Sequence, residues 1–419
     1  MRMVSVLYRE EMIMKKVLAI VVSITMIMVM FASCGGSGGG SSDEGSFKVG
    51  LICLHDENST YDLNFINGFN EAMEEMGLSA DQYVIKTNVP EGQECYDAAG
   101  ELVDAGCTLI FSDSFGHQPF MLQAAQDNPE VQFVSCTGDN AASSGLDNYH
   151  NAFASIYEGR YLAGVAAGMK LKEMIDKGEI TADKAKMGYV GAFTYAEVVS
   201  GYSSFYLGAK SIVPEVTMDV TFTGSWYDET AEKEAANKLI QGGCVLISQH
   251  ADSMGAPTAC ETAGVPDVSY NGSTKSAAPN TYIISSRINW APFFKMASEA
   301  VQNGETFDVN CVGTLEDDSV QLTELNTDVA AEGTQEKLDE VLAGLKDGSI
   351  HVYDLDTFTV GGKKVDASNV PGEATYADFN PDDAEKLVAD GYYHESELRA
   401  APYFDLNIDG INLLDTNFG

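Results

Sequence analysis

The sequence predicts an α/β protein built from two parallel-sheet lobes, and three observations lead there. Strand-length apolar runs alternate with amphipathic helices from Phe47 onward, the alternation pauses after residue 137 and resumes at 186, and glycines close the helices of each series. "FKVGLICL" (47–54) is a near-continuous apolar run, as a strand buried on both faces should be. "NFINGFNEAMEEMG" follows with Phe65, Phe69, Ala72 and Met76 on one helical stripe and Gly77 as terminator. Strand 83–89, helix 94–105, strand 108–113, helix 117–127 and strand 131–137 complete the first series.

A long helix in "IYEGRYLAGVAAGMKLKEM" leads into the second series, with strands at 186–193, 216–224, 244–250 and 265–271. The run "TYIISSRINW" (281–290), a helix from Pro292 to Asn303, strand 319–326, helix 331–347 and a hairpin-like "HVYDLDTFTVGGKKV" turning at Gly361-Gly362 come next. The expected first lobe is 47–152 with about 289–325, and the second is 153–288 with about 326–366. Residues 367–419 form an extension whose place the sequence does not reveal; Asn380-Pro381-Asp382 starts a helix there.

Ahead of the lobes, Met14-Lys15-Lys16 opens an apolar run from Val17 to Ala32, which gives the charged front and apolar middle of an export signal over 1–33. At 16 residues the run is short for a bilayer crossing. Ala32-Ser33 lead directly into Cys34, a sequence that resembles the lipobox of bacterial lipoproteins and implies a lipidated Cys34 and a membrane anchor; an uncleaved anchor with an incidental cysteine is the alternative. The glycine and serine after Cys34 make 34–46 a flexible tether. Met14 is expected to be the better initiator, with residues 1–13 preceding the true start.

From Cys34 onward 386 residues remain, enough for two cores. They hold 20 basic and 61 acidic residues, a balance that repels nucleic acid and anionic lipid and excludes a polyanion-binding function. Seven further cysteines cannot all pair, and none stands at zinc-finger spacing, so they are expected as unpaired buried thiols. No G-x-S-x-G, H-E-x-x-H, phosphate loop or dinucleotide fingerprint is present, which argues against an enzyme and against a cofactor.

Two such lobes place a ligand in the crevice beyond the carboxyl ends of their strands. Those ends yield His55, the loop to Asp62, Asp113, Ser114, Phe115 and Thr137 in one lobe. The other lobe offers Phe193, Trp226, Gln249, His250, Asp252 and Asn271. Aromatics, amides and carboxylates dominate, so the expected ligand is neutral, partly flat and rich in hydroxyl or amide groups.

Five ordered blocks carry a resemblance: "STYDLNFINGFNEA" (59–72), "IYEGRYLAGVAAGM" (156–169), "MGYVGAFTYAEVVSGYSSFYLGAKSIVPE" (187–215), "GSWYDETAEKEAANKLIQGGCVLISQHADSMG" (224–255) and "GVPDVSYN" (264–271). They resemble the basic membrane protein family of ABC-transporter substrate-binding lipoproteins, whose better-understood members bind purine nucleosides or related molecules. The resemblance implies the type I periplasmic-binding-protein fold, two lobes joined by crossover hinge strands, an ABC permease as partner and an extracytoplasmic, lipid-anchored location. It also implies that Tyr61 stacks on a base, that Asp62 and Asn58 stand at polar ligand positions, that Asn271 occupies a common aspartate position, and that Phe193, Trp226 and Trp290 match aromatic ones.

Each of these residues has a structural alternative. Tyr61 fits helix-flank packing, Trp226 lobe core, Trp290 hinge packing, and Asp113 a helix N-cap. His250 and Asp252 form either an acid/base pair or a structural hydrogen bond, Asn271 shapes its turn, and Arg287 suits an inter-lobe ion pair. A ligand sensor coupled to a signalling partner is the second reading of the whole chain.

Overall fold

The computed structural model describes residues 47–366 and 384–416. The expected signal segment, Cys34, the tether and the helix start at 380–382 lie outside the described residues. In chain order the first strands are β1 (Val49–Ile52), β2 (Tyr83–Lys86), β3 (Leu109–Ser112), β4 (Gln132–Cys136) and β5 (Tyr149–Ala154). Next come β6 (Lys186–Gly191), β7 (Thr217–Phe222), β8 (Leu246–Gln249), β9 (Asp267–Tyr270) and β10 (Tyr282–Ile288). The last are β11 (Asn310–Gly313), β12 (Val320–Leu322), the short pair β13 (Val388–Ala389) and β14 (Tyr392–Tyr393), and β15 (Ile411–Leu413).

Two sheets result, in the orders β11-β5-β4-β3-β1-β2 and β12-β10-β9-β8-β6-β7-β15. Within these two sheets every pair is parallel except β12 on β10, and the separate β13–β14 pair is antiparallel. The order β2-β1-β3-β4-β5 recurs as β7-β6-β8-β9-β10, so the lobes are two copies of one doubly wound unit. The chain crosses between them three times: after β5, after β10, and between β11 and β12. This is the two-lobe type I periplasmic-binding-protein fold that the sequence led us to expect.

Close helix contacts explain several glycines. Helix Ile156–Asp176 lies on helix Ala196–Ile212, and a β-carbon on Gly164 or Gly208 would overlap the backbone oxygen of Phe205 or Tyr161. In the first lobe, a β-carbon on Gly68 would come within 2.9 Å of Trp290, which heads helix Ala291–Gln302.

Several details depart from the sequence reading, the unpredicted strand β11 among them. β5 was not anticipated, because His150 and Asn151 interrupt its apolar run; both are buried with polar partners, His150 on the Asp308 carbonyl and Asn151 on the Ala141 amide. The 319–326 run, expected beside the first lobe, supplies β12 to the second sheet. The hairpin is reduced to a turn at Gly361-Gly362 with one bridge, Val360 to Lys363. The extension sends β15 to the free edge of β7, where Asp415 accepts from Thr221 Oγ1 at 2.6 Å. The seven described cysteines are all buried and unpaired, as expected.

Burial also sets the response to pH. It pushes the carboxyls of Glu158, Glu232 and Asp267 up to about 7 and that of Glu395 up to about 8. The folded chain therefore holds protons that the unfolded chain releases near pH 4 to 5, and stability falls as pH rises through the folded values. Burial lowers His117, His150 and His250, an opposite effect that ends near their unfolded pKa of about 6.5. Between about pH 6.5 and 8 only the carboxyls act, so the melting temperature is expected to drop across that window. Glu395→Gln should flatten the drop; a melting temperature that rises from pH 6.5 to 8 would contradict this account.

Candidate functional site

The carboxyl ends of both sheets line one narrow cavity, partly open to solvent. The first lobe lines it with Leu54 and His55 after β1, Tyr61 and Asp62 on helix Thr60–Glu75, Ser114 and Phe115 after β3, and Thr137 after β4. The second lobe lines it with Glu197 at the start of its first helix, Trp226 after β7, His250 and Asp252 after β8, and Tyr270 and Asn271 at β9. None of these lining residues is lysine or arginine.

The repeat extends to the backbone. Thr137 and Asn271 stand at equivalent strand ends with φ of 67° and 66°, left-handed values that cost a non-glycine residue energy. Each donates its amide to the neighbouring strand, Thr137 to the Ala152 carbonyl and Asn271 to the Ser286 carbonyl. Strain of this kind at matching points of both walls marks the cavity as the place the fold is organised around.

The lobes touch at its rim. The Thr60 amide and hydroxyl both donate to the Asp252 carbonyl, at 3.1 and 3.2 Å, and Phe115 lies 5.4 Å from Tyr195 between ring centroids. Tyr61 packs on Phe65 and donates its hydroxyl to the Asp113 carbonyl at 2.5 Å, so one edge of its ring is packed and the remainder lines the cavity. Trp226 meets Phe193 edge-on at 5.0 Å, and Phe193 stacks on Tyr195.

Electrostatics divide the acids. Burial pushes Asp62 up, but hydrogen bonds from the His55 and Ser59 side chains and the His55 amide outweigh it and hold the carboxyl below its ordinary value. Asp252 is driven well above the carboxylate range by burial and then by Asp62, Glu232 and Glu197; Asn271 Nδ2 donates to it at 3.4 Å. His250 is lowered by burial despite Glu197 at 3.3 Å, and its other nitrogen faces the Tyr189 hydroxyl at 3.4 Å. The walls thus combine Asp62, held toward its ionised form, with Asp252 pushed toward its protonated form and His250 toward its neutral form, among aromatic side chains. His250 makes the structural hydrogen bonds that the sequence left open beside an acid/base role.

Of the residues singled out from sequence, Tyr61, Asp62, Phe115, Trp226, His250, Asp252 and Asn271 meet at this cavity. Asn58 does not; it is exposed and bonds to Asp56. Asp113 lies sealed beneath the wall, its carboxylate accepting from the Leu54 amide at 3.0 Å rather than capping a helix. Phe193 backs Trp226 from behind, and Trp290 is 1 % exposed in the first-lobe core, stacked on Phe65 at 4.2 Å. Among the described residues Arg287 spans the lobes through neutral amides, Asn64 and Gln321, in place of the expected ion pair. Glu197, Tyr270 and Leu54 were missed: the first passes for a helix-start acid, the others for strand core.

Two hinged α/β lobes around one aromatic, hydrogen-bonding cavity define a solute-binding protein. The chain belongs to the Bmp family, described as PnrA-like ABC transporter substrate-binding proteins, whose pattern matches residues 51–355. That is a family of solute-binding proteins rather than enzymes. A purine-binding protein of Brucella abortus (strain 2308) is 29% identical over 334 residues, 79% of this chain and 88% of that one. A Haloferax volcanii protein provisionally named an ABC transporter glucose-binding protein is 35% identical over 196 residues, 47% of this chain and 46% of its own. Among solved structures, an ABC transporter solute-binding protein from Aeropyrum pernix K1 shares the fold with a TM-score of 0.60 at 18% identity, covering 73% of this chain and 92% of that chain.

Proposed function

We propose that this chain is a lipid-anchored, extracytoplasmic solute-binding protein that captures a purine base or purine nucleoside between its lobes and delivers it to an ABC permease. The observation that carries the reading is the presence of aromatic side chains on both walls of the cavity, Tyr61 and Phe115 on one and Trp226 and Tyr270 on the other, together with hydrogen-bonding groups. A flat heterocycle gains from such faces roughly 0.5–1.5 kcal/mol each beyond its buried area. Its ring N–H and amino groups find acceptors in Glu197 and the Asn271 side chain, and its ring nitrogens find donors in the Asn271 side-chain amide and in Asp252, which burial pushes toward its protonated form. The purine-binding relative, aligned over most of this chain, supports the same class. Delivery follows from population shift: solute bound to one wall gains the second set of contacts only when the lobes close, and the permease distinguishes closed from open.

Thermal-shift screening of the purified full chain against adenine, guanine, hypoxanthine, their nucleosides and glucose tests the reading. A purine at a hundred times its Kd should add about 2.7 kcal/mol, and Tyr61→Ala should remove most of that shift. Stabilisation by glucose alone would reassign the solute class. The anchor is tested separately: Cys34→Ser should abolish labelling by radioactive palmitate and release the protein from the membrane fraction. Unchanged labelling would place the lipid elsewhere.

A further inference from the structure

Beneath the first-lobe wall, three side chains that ligate metals meet out of solvent. The Cys53 thiol and the carboxyls of Asp62 and Asp113 offer atoms that all lie within 4.8 Å of one another, and each residue is 0% exposed. Two unpartnered buried atoms belong to this group or stand beside it. Asp113 Oδ2 has no hydrogen-bond partner. His117, also 0% exposed, places Nε2 2.9 Å from the Val89 carbonyl. A carbonyl only accepts, so Nε2 carries the proton and Nδ1 keeps a bare lone pair. That Nδ1 is itself unpartnered and sits 4.0 Å from Asp113 Oδ1. An imidazole whose far N–H is tied to a backbone carbonyl is the arrangement that orients a metal-ligating histidine.

We propose that Cys53, Asp62, Asp113 and His117 form a zinc site that braces the first-lobe wall of the cleft. The donor set selects the ion. Calcium and magnesium take oxygen ligands, whereas thiolate, imidazole and carboxylate together suit four-coordinate zinc. Zinc bonds of about 2.0–2.3 Å in a tetrahedron put ligand atoms roughly 3.3–3.8 Å apart. The Cys53, Asp62 and Asp113 atoms, up to 4.8 Å apart, must draw together by about an ångström or more, and His117, which stands outside that group 4.0 Å from Asp113 Oδ1, must swing further in. Binding requires Cys53, Asp62 and Asp113 to be deprotonated, which leaves three anionic ligands around a dication. The rival arrangement, Asp62 and Asp113 sharing a proton, accounts for the two acids but leaves the His117 Nδ1 lone pair buried with nothing to bind.

The site's purpose lies in where its ligands fall along the chain. Asp62 adjoins Tyr61, Phe115 stands between Asp113 and His117, and the Tyr61 hydroxyl already donates to the Asp113 carbonyl. An ion held by these four residues would fix both aromatic rings of the first wall before solute arrives, which reduces the ordering cost of binding.

Metal analysis of the full chain requires no solute and stands apart from the solute assignment. After dialysis, plasma mass spectrometry should find roughly one zinc per chain. Chelation should lower the melting temperature, and zinc should restore it where magnesium does not. Cys53→Ala and His117→Gln should each lose the zinc while keeping the wild-type circular dichroism. Cobalt exchanged into the wild-type chain should show the thiolate charge-transfer and tetrahedral visible bands, a readout that needs no variant to fold. A wild-type chain that holds no zinc after incubation with it would overturn the proposal in favour of the shared proton. Zinc retained by Cys53→Ala, or cobalt lacking a thiolate band, would overturn it by placing the ion elsewhere.

Discussion

Arg160→Ala is expected to cost about 3–5 kcal/mol of folding stability, measured by urea denaturation. Arg160 lies in the "RYLAG" block and is 0% exposed, with no carboxylate within ion-pair distance among the described residues. Its guanidinium is held instead by dipoles and rings: it donates to the Tyr189 hydroxyl at 2.5 Å and to the Gln249 and Ser269 carbonyls at 3.2 and 3.4 Å. It also sits 4.7 Å over the Tyr270 ring. Truncation leaves a cavity under β6, β8 and β9 and strips those acceptors of their charged donor. Because Tyr270 and His250 stand on the ends of these strands, the purine-induced thermal shift should shrink together with stability. Arg160→Lys should rescue little, since a single ammonium cannot reach a fan of acceptors that a planar fork spans. A loss below about 1 kcal/mol would mean that the second wall is organised by something else.

Arg399→Ala should be of similar size, about 3–5 kcal/mol, because it leaves a buried acid without its partner. The residue lies in the C-terminal extension beyond the matched family region, 1% exposed, with its guanidinium 3.7 Å from the 4% exposed Asp139 of the first lobe. The same stretch donates the Ala400 amide to Asn310 of β11. On its other side the extension belongs to the second lobe: Glu395 accepts from Ser200 and from the Tyr403 amide, Phe404 stacks on Tyr353 at 4.0 Å, and β15 extends the sheet. The segment therefore ties the lobes together outside the three crossovers. Burial already raises Asp139 against the pull of Arg399, so removing the arginine drives that acid further up. The double variant Arg399→Met with Asp139→Leu should recover most of the loss, as a hydrophobic pair of similar volume often does. No recovery would show that the backbone contacts of the segment, rather than the ion pair, hold it.

The alternation of strands and helices was legible because parallel strands covered on both faces must be apolar throughout, which gives each a plain signature. What escaped notice was whatever broke that signature for a local reason. β5 carries His150 and Asn151 because neighbouring loops need their hydrogen bonds, and β15 is three residues long with Asn412 exposed in its middle. Cleft residues were legible where a polar or aromatic group followed an apolar run, as at Phe115, Trp226 and Asp252. Tyr270 belongs to such a run and gave no contrast. Trp290 shows the opposite failure, since an aromatic after a strand looks the same whether it faces a ligand or the Phe65 ring. Asn58 turned away because Asp56 lies two residues back and competes for it.

The chain has two tryptophans: Trp290 is sealed in the core, and Trp226 lines the cavity. Tryptophan emission during a titration with adenine or adenosine therefore reports on the cavity through Trp226, above a background from Trp290. The account predicts a saturable change with a single Kd, weakened in Tyr61→Ala. Emission that stays constant up to millimolar purine, in a chain whose circular dichroism shows it folded, would contradict the central claim.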